Sequence, residues 1–218
     1  MNVQLLQTGD GSHTLYTPQF DEMYHSRHGA LTESQHIFIS NGLEAIDSTG
    51  INVFEVGFGT GLNALLSWLY AENKDIQINY HSIELYPIPQ EIISQINYPE
   101  LIGSKEKFQK LHHAEWDKTI QLSSHFSLHK INASIIDFQP ALPSMHIVFF
   151  DAFSPEKQPE MWTTEIFDKM FKLLASNRIL VTYCSKSYVR KNMQQAGFEI
   201  KKLQGPHGKR DMVRAKKP

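Results

Sequence analysis

The sequence predicts an α/β fold, a mostly parallel sheet whose last strand runs backwards, and three observations carry that prediction. From Asn52 onward, apolar runs of strand character (VFEV, INYHSIEL, HFSLHKI, HIVFF, RILVTYC) alternate with amphipathic segments of helical length, the pattern of a doubly wound sheet. The first run breaks into glycines at alternate positions before a helix resumes. The final runs, FEIKKL and DMVRAKK, are separated only by QGPHGKR, too short for the crossover helix that parallel neighbours require, so they pair antiparallel.

Bulk properties fit that fold. The 218 residues, 41% hydrophobic and 20% charged, suffice for one sizeable core and exclude a disordered chain. No apolar run approaches the roughly 20 residues of a membrane span, and the N-terminus lacks a basic-then-apolar leader. Cys184 is the single cysteine, which rules out an intrachain disulfide and suits a reducing cytoplasm. The net charge of -2 conceals an asymmetry, with 11 Lys and Arg against Glu199 and Asp211 over residues 178–218. Such polarity fits a polyanionic partner on that side, or merely a solvated basic face.

Residues 1–50 read as a small N-terminal extension on a core domain over 51–218. Within the extension, VQLLQTGDGSHTLYTP predicts a hairpin turning at Gly9-Asp10-Gly11, and Thr32 with Gln35 a boxed helix start running through Phe38.

In NVFEVGFGTGLNALL, VFEV is a buried strand, and Leu62, Leu65, Leu66 and Leu69 form one face of the helix that follows. Gly57, Gly59 and Gly61 lie between them, able to take positive φ and admit a ligand to the backbone beside the free N–H groups of a helix start. Glu55 and Asn63 flank this loop and are assigned with it to cofactor binding. G-x-G-x-G differs from the dinucleotide fingerprint G-x-G-x-x-G, and the next strand ends on Glu84, placed to accept hydrogen bonds from a ribose diol. Asp137, after the third strand, reads locally as a helix N-cap or turn residue.

IVFFDAFSPEKQPEMW delivers Asp151 to the carboxyl end of a central strand, where ligands of open α/β sheets gather. Ala152, Phe153, Ser154 and Pro155 then form a rigid turn, and Pro159 opens a helix through Met161, Trp162, Phe167 and Met170. A carboxylate there can align an amine and receive its proton.

Seven strands, mostly parallel with the last one antiparallel, resemble the Rossmann-like architecture of class I S-adenosylmethionine-dependent methyltransferases. The place of Asp137 resembles that of an acid near the adenine amino group of the cofactor in this class. FEVGFGTGLNALL, SIELYPI, FFDAFSPEKQPEMWT, QQAGFEIKKLQGPHGKRDMVRA and YHSRHGALTESQHIFISNGL together resemble the methyltransferase domain of the MnmC family, bacterial enzymes of tRNA wobble-uridine modification. The glycine motif is widely shared; DAFSP…P-x-MW and GKRDM are far more selective. The familiar form also carries a flavin-dependent oxidase domain. This chain ends after its last strand, so a stand-alone methyltransferase is expected, coupled to whichever enzyme provides the aminomethyl group.

The resemblance implies S-adenosylmethionine as methyl donor and, as acceptor, the exocyclic amine of 5-aminomethyl-(2-thio)uridine at the tRNA wobble position. It implies Asp151 and Phe153 as the catalytic pair, Asp151 chiefly orienting the amine and secondarily taking its proton. Tyr24, Phe153 and Trp162 are expected to stack the splayed base of the anticodon loop, and Pro155 and Trp162 to keep the pocket apolar. Ser26 and Glu33 are weaker substrate or cofactor candidates. Lys186, Arg190, Lys191, Lys209 and Arg210 are expected to contact phosphates.

Other readings remain open at this stage. One is a class I methyltransferase of another amine, on a small molecule or protein. Another is a non-catalytic tRNA-binding module, and a third is a nicotinamide oxidoreductase, for which the fingerprint is incomplete. No metal site is expected, since His112 and His113, read as surface histidines, point to different helix faces without cysteine or acid companions. Ser154 lacks the elbow of a hydrolase nucleophile.

Overall fold

The computed structural model of the chain describes residues 3–139 and 144–218. Strands β1 (Gln4–Gln7) and β2 (His13–Thr17) form the anticipated hairpin, and β3 (Glu22–Met23) extends it to three strands. Gly11 takes φ 83° in the turn, where a side chain would be strained.

Helix α1 (Ala30–Ser34) runs on as a π-helical segment, Gln35–Ser40. The expected capping box is absent. Thr32 lies inside the helix, and the cap comes from the hairpin loop: Asp10 Oδ2 accepts from the Thr32 N–H at 2.9 Å and Ser12 Oγ from the Ala30 N–H at 3.1 Å. Caps provided by a distant loop satisfy the same free donors as a local box, but leave no local spacing to read.

Among the described residues, the main sheet has eight strands. These are β4 (Gly50–Val56), β5 (Gln77–Ile83), β6 (Thr119–Ser123), β7 (Phe126–Ile131), β8 (Met145–Phe150), β9 (Leu174–Thr182), β10 (Glu199–Gln204) and β11 (Asp211–Lys216). Their order is β10-β11-β9-β8-β4-β5-β7-β6. All seven runs anticipated as strands are present, and β11 runs antiparallel to both its neighbours, as the short GPHGKR connection requires. The addition is β6, an edge strand hairpinned onto β7. It escapes notice in the sequence because TIQLS is short and half-exposed, without the apolar run of a buried strand.

Helices pack on both faces of the sheet: α2 (Leu62–Lys74), the short α3 (Gln90–Ile93) and α4 (Tyr98–Ile102), α5 (Lys105–His113), α6 (Thr164–Leu173) and α7 (Ser187–Gln195). One apolar layer joins α2 and α5 to the sheet, with Leu62, Leu65, Leu66 and Trp68 buried; the other joins α6 and α7 through Phe167, Met170, Val189 and Met193. The central strands are covered on both sides, which is why they read as unbroken apolar runs. Strand order reverses between β4 and β8, whose carboxyl ends lie side by side, with the Asp151 N–H on Val56 O at 3.0 Å.

Candidate functional site

At that switch point a cavity of about 560 Å³ opens, within the range of small-molecule sites. The loops after β4, β5, β7 and β8 form its floor and sides, and the N-terminal segment from Tyr16 to Glu33 forms its opposite wall.

The glycine loop lines one side. Gly57, at φ 94°, passes so close to β8 that an added Cβ would lie 2.8 Å from Asp151 O. Gly59, at φ 48°, faces the Tyr24 ring. Gly61 is the left-handed N-cap of α2 and does not line the cavity; Phe58 and His112 sit behind it. His112 is thus no surface residue, since it packs against the loop with Nε2 3.2 Å from Thr60 O, and burial pushes its pKa down to about 3.

Glu84 closes the loop from β5. Its Oε2 accepts the Gly59 N–H at 3.1 Å and its Oε1 the Tyr86 N–H at 2.8 Å; burial raises its pKa while these bonds oppose the rise. Carboxylate lone pairs left over at the cavity wall suit a ribose diol. Beside it, Ile83, Leu85, Ala133, Ser134, Ile135 and Ile136 give an apolar slot suited to a flat heterocycle. A cradle that only glycine can line, a carboxylate and an apolar slot fit an adenosine-bearing cofactor.

Asp151 lies at the other end, just past β8. Asn63, in the first turn of α2, donates Nδ2–H to its Oδ2 at 2.8 Å. Burial, aided by nearby Glu33, pushes the Asp151 carboxyl up to about 7, while the Asn63 bond and Lys209 act the other way. Phe153 stands over this region, 4.8 Å from Phe20 and edge-on to Tyr24 at 5.0 Å between ring centroids. Glu22 accepts the Ser154 N–H at 2.8 Å, so the N-terminal segment braces the turn that carries Asp151 and Phe153.

Lys209 reaches into the same space. Its ammonium pairs with Glu33 and lies 4.2 Å from the Tyr183 ring centre. Glu33 Oε1 accepts the Ser26 N–H at 3.1 Å, and the Tyr183 hydroxyl donates to Ala152 O at 2.9 Å.

Tyr24, Ser26, Gly57, Gly59, Asn63, Glu84, Asp151, Phe153 and Lys209 therefore converge on one cavity. Other anticipated residues do not. Glu55 is wholly buried behind the wall, bonded by Ser82 Oγ at 2.6 Å. Side chains alternate along a strand, so Val56 faces the cavity region and its neighbour cannot. Asp137 is exposed in a turn outside the lining, as the turn reading allowed. Trp162 is a core residue packed on Phe150, Phe167 and Tyr183, with Nε1–H donating to Phe153 O at 2.8 Å; it holds the turn and stacks nothing in the cavity. Pro155 is buried and also outside the lining.

Lys186, Arg190 and Arg210 lie outside the cavity too. Lys186 pairs with Glu156, Arg190 bonds Ser185 O and Ser187 Oγ, and Arg210 is exposed. Glu33 is a minor candidate on sequence grounds, and Tyr183 and Phe20 are not anticipated in the cavity at all. Tyr183 could have been found from its place just past β9, at the same sheet edge as Asp151. No helix among the described residues is long and apolar enough to cross a membrane.

The chain is 30% identical over 222 residues to the tRNA 5-methylaminomethyl-2-thiouridine biosynthesis bifunctional protein MnmC of Nitrosospira multiformis, an alignment covering 94% of this chain and 35% of that protein. The same-named protein of Vibrio campbellii is 29% identical over 223 residues, covering 92% and 33%. The chain thus spans about a third of the length of the curated relatives it matches. The crystal structure of MnmC2 from Aquifex aeolicus superposes with a TM-score of 0.79 at 24% identity, covering all of this chain and 71% of that one, which establishes the fold. A family model described as S-adenosyl-L-methionine-dependent methyltransferase matches residues 90–218, more than half of the sequence, and the chain belongs to that family.

Proposed function

We propose that this methyltransferase acts on tRNA, methylating the exocyclic amine of 5-aminomethyl-(2-thio)uridine at the wobble position to give 5-methylaminomethyl-(2-thio)uridine. The names of relatives that align over nearly all of this chain, and over about a third of their own length, support the substrate. The single observation that carries the chemistry is Asp151, a cavity carboxyl raised to about 7 and oriented by Asn63.

S-adenosylmethionine, when bound, provides a methyl group on an electrophilic sulfonium; Gly57, Gly59 and Glu84 with the Ile83–Ile136 slot are the residues to hold it. The remaining work belongs to the chain. An alkylamine resembles lysine in being largely protonated at neutrality, with a pKa of roughly 9 to 10, and so lacks its nucleophilic lone pair. Asp151 orients the amine and accepts its proton, directly or through water, with a pKa near operating pH. A carboxylate alone would also stabilise the ammonium. Lys209, close enough to lower the Asp151 pKa, disfavours a second cation beside it, and Phe153, Phe20 and Tyr24 exclude the water that would solvate one.

Phe153 and Tyr24 offer faces for the splayed base, while Lys186, Arg190, Lys191 and Arg210 lie outside the cavity for phosphates of the anticodon loop. In this reading residues 1–50 are an extension packed on a methyltransferase domain over 51–218, completing the substrate wall. The enzyme that makes the aminomethyl group acts immediately before this one.

The test is methylation in vitro of tRNA bearing 5-aminomethyluridine with labelled S-adenosylmethionine, followed by nucleoside mass analysis. Formation of the methylaminomethyl nucleoside supports the reading. Absence of label in tRNA, with label entering a free amine or a protein, overturns it.

A further inference from the structure

We propose that Glu55 is a positioning residue for the methyl transfer, a proton-bearing carboxyl that orients Asn63 and, through it, the Asp151 carboxylate. The inference rests on the role given to Asp151 above and adds a residue that never meets substrate or cofactor.

Glu55 is register partner of Ser82 across β4 and β5, and Ser82 Oγ donates to its Oε2 at 2.6 Å. The carboxyl is 0% exposed, with Asn63, Tyr80 and Asp151 as its other neighbours. Three oxygens in this cluster, Glu55 Oε1, Asn63 Oδ1 and the Tyr80 hydroxyl, are buried without a hydrogen-bond partner. If Glu55 is ionised, two of these three are acceptors only, and a buried acceptor without a donor is costly. The Tyr80 hydroxyl supplies one donor for these two acceptors, and a proton on Glu55 supplies the second.

The electrostatics agree. Burial pushes the Glu55 carboxyl up to about 8 against the opposing pull of the Ser82, Asn63 and Tyr80 side chains, and the charge of Asp151 adds to the rise. Two carboxyls flanking one amide do not both ionise readily. Asp151 opens onto the cavity and takes the charge; Glu55 is sealed and keeps the proton. The division matters because Asn63 has two N–H donors and one carbonyl. A neutral Glu55 favours the amide orientation that sends Nδ2–H to Asp151, whereas an ionised Glu55 competes for that donor.

Two substitutions separate this from a packing role. Glu55→Gln keeps shape, neutrality and an N–H donor, and is expected to retain most of the turnover. Glu55→Leu keeps size but has no donor, and is expected to lower kcat by about 100-fold, the scale of a misplaced catalytic group, with KM for tRNA little changed. Wild-type kcat falls above about pH 8 as Glu55 ionises, and that alkaline limb is absent from Glu55→Gln. The groups facing this pair are Tyr80 beside Glu55, and Glu33, Lys209 and Tyr183 beside Asp151; Glu55→Gln leaves all of them in place.

Infrared difference spectra of unliganded wild type against Glu55→Gln give a readout independent of turnover and of Glu55→Leu folding. A carboxylic C=O band at pH 7 that vanishes on raising the pH supports the proposal. Its absence at pH 7, or a Glu55→Gln protein as inactive as Glu55→Leu, overturns it. Failure of the wild type to methylate aminomethyl-tRNA strikes the substrate reading instead and leaves the infrared band in place.

Discussion

Asn63 donates to Asp151 across 2.8 Å although 88 positions separate them in the chain. The bond ties the first turn of α2, just behind the glycine loop, to the residue that follows β8. Loop and carboxyl are thereby built as one unit, and disturbing either end should be felt at the other.

Asp151→Asn should lower methylation kcat by about 10² to 10⁴-fold, the range of a lost general base, while S-adenosylhomocysteine binds as to wild type in calorimetry. In the wild type, kcat/KM should rise with pH through about 7 as the carboxylate forms. That limb should be missing from the variant's pH profile.

The buried Glu55 carboxyl has a folded-state pKa raised from 4.5 to about 8, so the fold holds the proton more tightly than the unfolded chain does. Ionisation therefore opposes folding, and stability should fall as pH rises from about 4.5 toward 8. Glu55→Gln cannot ionise. Its advantage over wild type in urea unfolding should be small at the acid end of this window and grow to a few kcal/mol above it.

Glu84→Ala removes the acceptor of both the Gly59 and Tyr86 N–H groups and the wall carboxylate together. Affinity for S-adenosylhomocysteine should fall by at least about tenfold, corresponding to one or two lost hydrogen bonds. Unaltered affinity in calorimetry would remove Glu84 from the cofactor site.

Gly57→Ala meets two obstacles, a φ of 94° and a Cβ only 2.8 Å from Asp151 O. Denaturant titration should show a loss of roughly 1–3 kcal/mol, the cost of a side chain held in a sparsely populated backbone region, with weakened cofactor binding alongside.

Lys209 and the outer cations should part company in their salt response. Lys186→Ala, Arg190→Ala and Arg210→Ala should each reduce the slope of log affinity for tRNA against log salt by about 0.7, the value per phosphate contact on a single strand. Lys209→Ala, which breaks a pair with Glu33 inside the cavity, should leave that slope unchanged and lower kcat.

Periodicity and spacing in the sequence determined the strand-turn-helix at 52–66, the arrival of Glu84 and Asp151 at strand ends, and the reversed final strand. Those features are legible because burial on both faces demands continuous apolar runs, and a parallel sheet sends every carboxyl end to one edge. Tertiary structure alone decided which way the neighbouring side chains face and whom they meet. Glu55 sits one position from the cavity wall and is sealed behind it; Trp162, polar-tipped and near the site, spends its N–H on Phe153 O. Lys209 looks like one more member of a basic tail until it meets Glu33, 176 positions away. Such pairings depend on side-chain direction and on contacts across the fold, and no local pattern of residues encodes either.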